Sequence, residues 1–165
     1  MNRATAPRLT LVVGVVILLG LLYQPVAGAA PPLTETFTET FDGVQSCDGF
    51  QNVFSGEISL RVTTYFDAAE SPSRVQIHAT GEEIDVNSIT GKSISIRGNW
   101  LIKIDLVSGT FTLAGQFIMS NEPGQGNAIH STGRLVFDAD DNAVFSAGPH
   151  EVLETNGEIF CTALS

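Results

Sequence analysis

Apolar and polar residues alternate along most of the chain. Between residues 54 and 67, the even-numbered positions are mostly apolar or small, whereas the odd-numbered positions are mostly polar. A period of two is typical of a β-strand that buries one of its sides. Residues 75–80 continue the alternation after a Ser-Pro-Ser turn at residues 71–73. We therefore predict two strands that form a β-hairpin.

Six further segments show the same alternation, and residues that favour turns separate them. One of these segments contains Gly98 and Asn99, where the backbone is freer, so we predict a β-bulge at that point. No segment after Pro32 has the period of an amphipathic helix. The six segments are residues 34–42, 91–107, 110–119, 129–137, 143–147 and 152–163.

The order and spacing of these segments predict an all-β fold. Short turns join the strands, and no connection is long enough for the crossover that parallel strands require. The pattern therefore indicates an antiparallel meander of about eight strands. A small domain can avoid open sheet edges by closing such a meander into an up-and-down β-barrel. A two-sheet β-sandwich is the alternative.

The first 29 residues have the pattern of a secretory signal peptide. Two arginines precede an uncharged, apolar run from Leu9 to Tyr23. As a helix this run would be about 22 Å long, which is shorter than the roughly 30 Å hydrocarbon core of a bilayer. Ala27 and Ala29 match the small residues that signal peptidase requires. We expect cleavage near Ala29, which leaves residues 30–165 as one secreted domain; an uncleaved anchor helix is the alternative.

The charge balance limits the partners that we expect. The chain contains 8 basic and 18 acidic residues, for a net charge of −10. Two of the arginines lie in the predicted signal peptide, so the predicted mature domain carries six basic residues and a net charge of −12. The six are spread along the sequence, which argues against nucleic acid and against anionic membrane surfaces as partners. We interpret the acidity as a source of solubility outside the cell.

Two cysteines, Cys47 and Cys161, lie near the two ends of the predicted mature domain. An oxidising compartment makes their pairing the default. A disulfide that closes a loop of this length stabilises a protein by about 4–5 kcal/mol in the chain-entropy model. In a barrel, this disulfide would join the first strand to the last. A catalytic or metal-binding pair is the alternative, but neither cysteine has a neighbouring ligand at the usual spacing.

One acidic segment is similar to the start of a calcium loop. Residues 138–142 read Asp-Ala-Asp-Asp-Asn, which places oxygen atoms at alternate positions. However, Ala143 occupies the position of the required glycine, and Pro149 occupies the position of the bidentate acid. We therefore predict a polar β-turn.

No residue pattern points to a metal, a cofactor or a catalytic motif. His78, His130 and His150 are far apart in the sequence, and none has a second ligand two to four residues away. The chain contains no nucleophile elbow, phosphate-binding loop or dinucleotide fingerprint. We predict no metal and no cofactor, and catalytic residues stay unassigned.

Four segments carry a resemblance to a known group of proteins. They are residues 47–50 (CDGF), 61–67 (RVTTYFD), 133–138 (GRLVFD) and 147–150 (AGPH). With these segments, the chain resembles small exported proteins of actinobacteria and related bacteria, which implies a secreted all-β protein and no particular activity. The long-stranded pattern is also similar to the eight-stranded barrels of allene oxide cyclases and dirigent proteins. That similarity implies a barrel but carries no catalytic residue to this sequence.

Three functions are consistent with these observations. The first is binding of a small apolar molecule in the interior, where Gly56, Ala114 and Gly115 would leave space. The second is a structural or interaction module that acts through loops such as residues 121–126.

The third function is a barrel-type isomerase or cyclase. Such an enzyme needs a titratable group inside its pocket. The candidates are Glu57, Arg61 and His78. They would face the interior only if the inner and outer faces of their strands are the reverse of those predicted above.

Overall fold

The computed structural model describes residues 30–122 and 126–165, and the predicted signal peptide lies outside them. Seven strands follow one another in chain order through a single antiparallel sheet, and two short helices come last. The all-β prediction and the antiparallel meander are confirmed. The strands are β1 (Leu33–Cys47), β2 (Phe50–Phe66), β3 (Pro72–Asn87), β4 (Ser93–Asp105), β5 (Phe111–Glu122), β6 (Gly126–Phe137) and β7 (Ala143–Ala147), and the helices are α1 (Glu151–Glu154) and α2 (Glu158–Leu164).

The first three strands are longer than the alternation predicts. β1 continues to Cys47, and β2 starts again at Phe50 after a tight turn in which Gly49 has a φ of 80°. Several of the added inner positions are polar, and they include Gln45, Asn52 and Asn87. A polar residue on the buried side breaks the apolar period, so sequence alternation ends these strands too early.

The last predicted strand, residues 152–163, is wrong because this segment is helical. Asn156 and Gly157 adopt positive φ values of 50° and 82° and separate α1 from α2. Apolar residues on the two helices pack against the buried inner residues of β4 and β6. Because the first helix ends after a single turn, the segment is too short and interrupted to show the apolar period of a helix. The packed helical residues are Val152, Ile159, Phe160, Ala163 and Leu164.

Closure into a barrel is not confirmed. In the described part of the chain, β1 pairs with β2 alone, and the sheet ends at β7, which pairs with β6. β7 has only five residues, all exposed, whereas the opposite edge strand β1 has fifteen. The chain that follows β7 forms the two helices, which cover one end of the inner face of the sheet.

The sheet is nevertheless strongly curled. Residues from β1 and β5 line the same cavity, although a flat sheet would hold these strands about 19 Å apart. Each of the first six strands has a glycine on its inner face, where a missing side chain lets the sheet bend. The inner-face glycines are Gly43, Gly56, Gly81, Gly98, Gly115 and Gly133.

Buried side chains form two clusters on the inner face. Ile94, Ile96 and Ile129 lie beneath the helices and pack with Leu164 of α2. Val62, Val75 and Ile77 lie further along β2 and β3, with Leu60, Ile102 and Ile104 around them.

Within residues 30–122 and 126–165, neither helix has the length and apolarity needed to cross a bilayer.

Candidate functional site

A cavity of about 270 Å³ lies on the inner face of the sheet, between the two clusters. Its wall is almost entirely apolar, and aromatic rings from three strands and from α2 contribute to it. An apolar, concave site is the usual setting for a small-molecule ligand. The residues that line it are Phe41, Ile58, Gly81, Glu82, Glu83, Ile96, Gly98, Trp100, Leu113, Phe117, Ile118 and Phe160.

Inner-face glycines position the aromatic rings of this wall. A Cβ atom at Gly98 would lie 2.5 Å from Cζ3 of Trp100, so the indole ring rests on the bare backbone of its own strand. Phe41 covers Gly56, which lies directly opposite on β2, in the same way. Gly81 differs, because its nearest neighbours would be 3.6 Å from an added Cβ atom. The cavity therefore has spare room beside Gly81.

A β-bulge in β5 brings two consecutive residues into the wall. Gln116 and Ile118 pair with Thr132 and Ser131, so Phe117 is an extra residue on β5. The register with β4 shifts at the same point, opposite Gly98. The predicted bulge is thus confirmed in its position, but the extra residue belongs to the neighbouring strand. Because the bulge interrupts the alternation, both Phe117 and Ile118 line the cavity.

The disulfide between Cys47 and Cys161 is present, as predicted, with the two Cα atoms 5.5 Å apart. It differs from the expectation in one respect, because Cys161 lies on α2 and not on a final strand. The bond therefore fastens the helix to the end of β1. Phe160, the residue before Cys161, lines the cavity, so the disulfide holds part of the wall in place.

His150 is buried beside the cavity. The residue is 5% exposed, and its ring stacks on Phe117 with 5.8 Å between the ring centroids. Neither imidazole nitrogen has a hydrogen-bond partner among the described residues. The backbone of His150 bridges to Ser131 on β6, which fixes the start of α1. Nothing in the neighbouring sequence distinguishes this histidine from the other two.

A second polar group is buried at the end of the sheet near the disulfide. Asn52 donates a hydrogen bond of 2.6 Å from Nδ2 to Oδ2 of Asp85, and both residues are 1% exposed. Asn87 donates from Nδ2 to the carbonyl oxygen of Leu164, at 3.1 Å. Its Oδ1 accepts the backbone N–H groups of the following turn. The Asn87 bond holds the end of α2 against β3, and the Asn52–Asp85 bond joins β2 to β3.

The candidates for an enzyme are on the other side of the sheet. Glu57, Arg61 and His78 are exposed and lie on the outer face, with Arg61 directly opposite His78. The strand faces are therefore not reversed, and none of the three residues lines the cavity. Of the predicted space-making residues, Gly56 and Gly115 are on the inner face, but neither lines the cavity. Ala114 is on the outer face, opposite Leu101.

The acidic segment after β6 forms the predicted polar turn. Oδ1 of Asp138 accepts hydrogen bonds from the backbone N–H groups of Asp140 and Asn142, at 3.0 and 2.9 Å. The Asn142 side chain donates to the same carboxylate. These bonds, the one from the Asn142 backbone above all, lower the pKa of Asp138 below its ordinary value. The carboxylate is thus engaged by its own turn.

The three histidines remain apart in the fold. His78 is exposed on β3, His130 is exposed on β6, and His150 is buried before α1. Within the described residues no group of three or more histidine, cysteine or acidic side chains could hold a metal ion. The loop of residues 121–126, suggested above as an interaction element, includes residues 123–125, which lie outside the described residues.

No protein-family model, curated protein or solved structure matches the chain.

Proposed function

We propose that this protein is exported and binds a small apolar molecule in the cavity on the inner face of the curled sheet. One observation carries the proposal, namely an apolar cavity of about 270 Å³ lined by Phe41, Trp100, Phe117 and Phe160. A packed interaction module would bring these side chains into contact and leave no such space. The curled sheet surrounds the molecule much as a barrel interior does, without a closed ladder of strands.

The size of the cavity indicates the class of ligand. Small-molecule sites usually have volumes of roughly 300–1,000 Å³, so a cavity of about 270 Å³ lies at the small end of that range and accepts a molecule with up to three rings. The wall orients such a molecule mainly by shape, because apolar side chains form most of it. The enzyme candidates Glu57, Arg61 and His78 lie on the opposite face, which favours retention of a ligand over its chemical conversion.

Export is supported by two features of the chain. The first 29 residues have the composition of a signal peptide. The disulfide between Cys47 and Cys161 is consistent with an extracellular location, where such bonds persist.

Fluorescence titration with N-phenyl-1-naphthylamine tests the binding proposal. The protein is produced with its own N-terminus, and the intact mass of the exported product is expected to start near Ala30. We expect a dissociation constant on the order of 10 μM, which corresponds to about 0.4 kcal/mol per non-hydrogen atom of the probe. Gly81→Val fills the spare room beside Trp100 and should weaken binding at least about tenfold, since a filled pocket excludes the probe.

Thr80→Val is the matched control. It places the same side chain one residue away, on the exposed outer face of β3. This variant should bind the probe as the wild type does. Equal binding by wild type and Gly81→Val would contradict the proposal, and so would the absence of probe binding at 1 mM protein.

A further inference from the structure

The sheet register brings together basic residues that are far apart in the sequence. Arg61 on β2 lies directly opposite His78 on β3. Lys103 on β4 lies opposite Gln76, so it is diagonal to both His78 and Arg74, at about 7–8 Å between Cα atoms. Arg61, Arg74, His78 and Lys103 are all exposed on the outer face, and we call this group the basic face.

The charges of the basic face have few partners in the protein itself. Among the described residues, no carboxylate lies within 4 Å of a nitrogen of Arg61 or Lys103. Arg74 stacks over the ring of Tyr65, with its guanidinium carbon 4.0 Å from the ring centroid. The outer-face residues of β2 from Ser59 to Tyr65 have cross-strand partners on β1 and β3, and through β3 on β4. Among all these described outer-face positions, one residue is acidic, namely Asp105.

The surroundings of the basic face consist of neutral hydrogen-bonding groups. Hydroxyl and amide side chains occupy most of the remaining outer positions, and they can bind the hydroxyl groups of a sugar. These side chains are Thr36, Ser59, Thr63, Gln76, Thr80 and Asn99. The acidic residues that determine the net charge lie mainly in turns, on the helices and on the inner face, and at physiological salt their influence decays over about 8 Å.

We propose that the basic face binds an anionic polysaccharide, with the cationic side chains pairing with its carboxylate groups. Charge complementarity selects a polyanion, and the rows of hydroxyl and amide groups favour a carbohydrate chain. A nucleic acid fits less well, because single strands bind through exposed aromatic rings and the ring of Tyr65 is covered by Arg74. This proposal is independent of the cavity, which opens on the other face of the sheet.

Binding to polygalacturonate at 20 mM and 300 mM NaCl tests the proposal, with neutral dextran of similar length as the control polymer. We expect binding at low salt that weakens several-fold at high salt, and no binding to dextran. Arg61→Gln and Lys103→Gln should each weaken binding about threefold, and the double variant about tenfold. Arg97→Gln is the matched control because it removes one exposed charge from the same face.

Arg97 lies about 20 Å from Lys103 along β4 and pairs with Glu82, at 3.4 Å. Its substitution should change the affinity less than 1.5-fold. An equal loss in Arg61→Gln and Arg97→Gln would overturn the proposal, since it would assign the effect to net charge. Absence of binding at 20 mM NaCl would also overturn it, as would tighter binding to single-stranded DNA of equal charge than to polygalacturonate.

Discussion

At the scale of single residues, the inner-face glycines decide how closely the aromatic rings approach the sheet. Gly98 and Gly81 lie directly opposite each other on neighbouring strands, and both line the cavity. Their surroundings differ, however. An added Cβ atom at Gly98 meets the carbonyl oxygen of Phe117 and the ring of Trp100, each at 2.5 Å, whereas at Gly81 the closest atoms are at 3.6 Å.

This difference predicts that alanine is tolerated at Gly81 but not at its cross-strand partner Gly98. Gly98→Ala should lower the free energy of unfolding by about 1–3 kcal/mol, because the backbone of β5 and the indole ring must both move. Gly81→Ala should change it by no more than about 0.5 kcal/mol. Urea denaturation of both variants measures the difference, and similar stabilities would show that Trp100 does not rest on Gly98.

The Asp138 carboxylate is the second residue whose local contacts can be tested. Its folded pKa lies below the ordinary value, so its contribution to stability is fully present above about pH 4 and is lost as the pH falls through the lowered pKa. Asp138→Ala should therefore lower the melting temperature by a few degrees at pH 6, and this difference should shrink steadily below pH 4.

Asp140→Ala is the control for that variant. The Asp140 side chain makes no hydrogen bond with the other described residues, although it lies in the same turn. Its substitution should leave the melting temperature nearly unchanged across the same pH range. A pH-independent difference for Asp138→Ala would mean that the turn does not depend on the ionised carboxylate.

At the scale of elements, α2 connects stability to the cavity. The helix has only seven residues, too few to be stable alone, and contacts with the strands hold it. Leu164 is fully buried, Asn87 binds the Leu164 carbonyl oxygen, and Cys161 is bonded to Cys47. Because Phe160 directly precedes Cys161 on this helix and lines the cavity, loosening the helix should open the wall.

Removal of the disulfide tests this connection. The double variant Cys47→Ser, Cys161→Ser should lose about 2–5 kcal/mol of unfolding free energy, because the unfolded chain is no longer closed into a loop. It should also release N-phenyl-1-naphthylamine faster than the wild type in stopped-flow measurements. Unchanged release together with reduced stability would show that Phe160 keeps its place without the bond.

At the scale of the whole molecule, the two faces of one sheet have different chemistry. The inner face carries aromatic rings over glycines and contains the cavity. The outer face carries the residues of the basic face and several threonines. The long edge strand β1 carries Glu35 and Glu39 on its inner-face positions, and charges at such positions oppose pairing with another edge. These two charges therefore help to keep the β1 edge from pairing with another strand.

The sequence alone determined the class of the fold, the order of the strands, the disulfide and the turn at Asp138. These features depend on local alternation, on turn residues and on the presence of just two cysteines, and all three can be read from a single sequence. The predicted export depends on the same kind of local pattern.

Only the tertiary structure decided the helical end, the open sheet, the bulge at Phe117 and the grouping of Arg61 with Lys103. The open sheet, the bulge and the grouping of the basic residues depend on the register between strands that are distant in the sequence, and a local alternation carries no information on that register. The helices at residues 151–164 are two short turns stabilised by burial against β4 and β6, so their own sequence is a weak guide. The cavity likewise arises where residues from five strands and one helix meet, and that meeting is a property of the curled sheet.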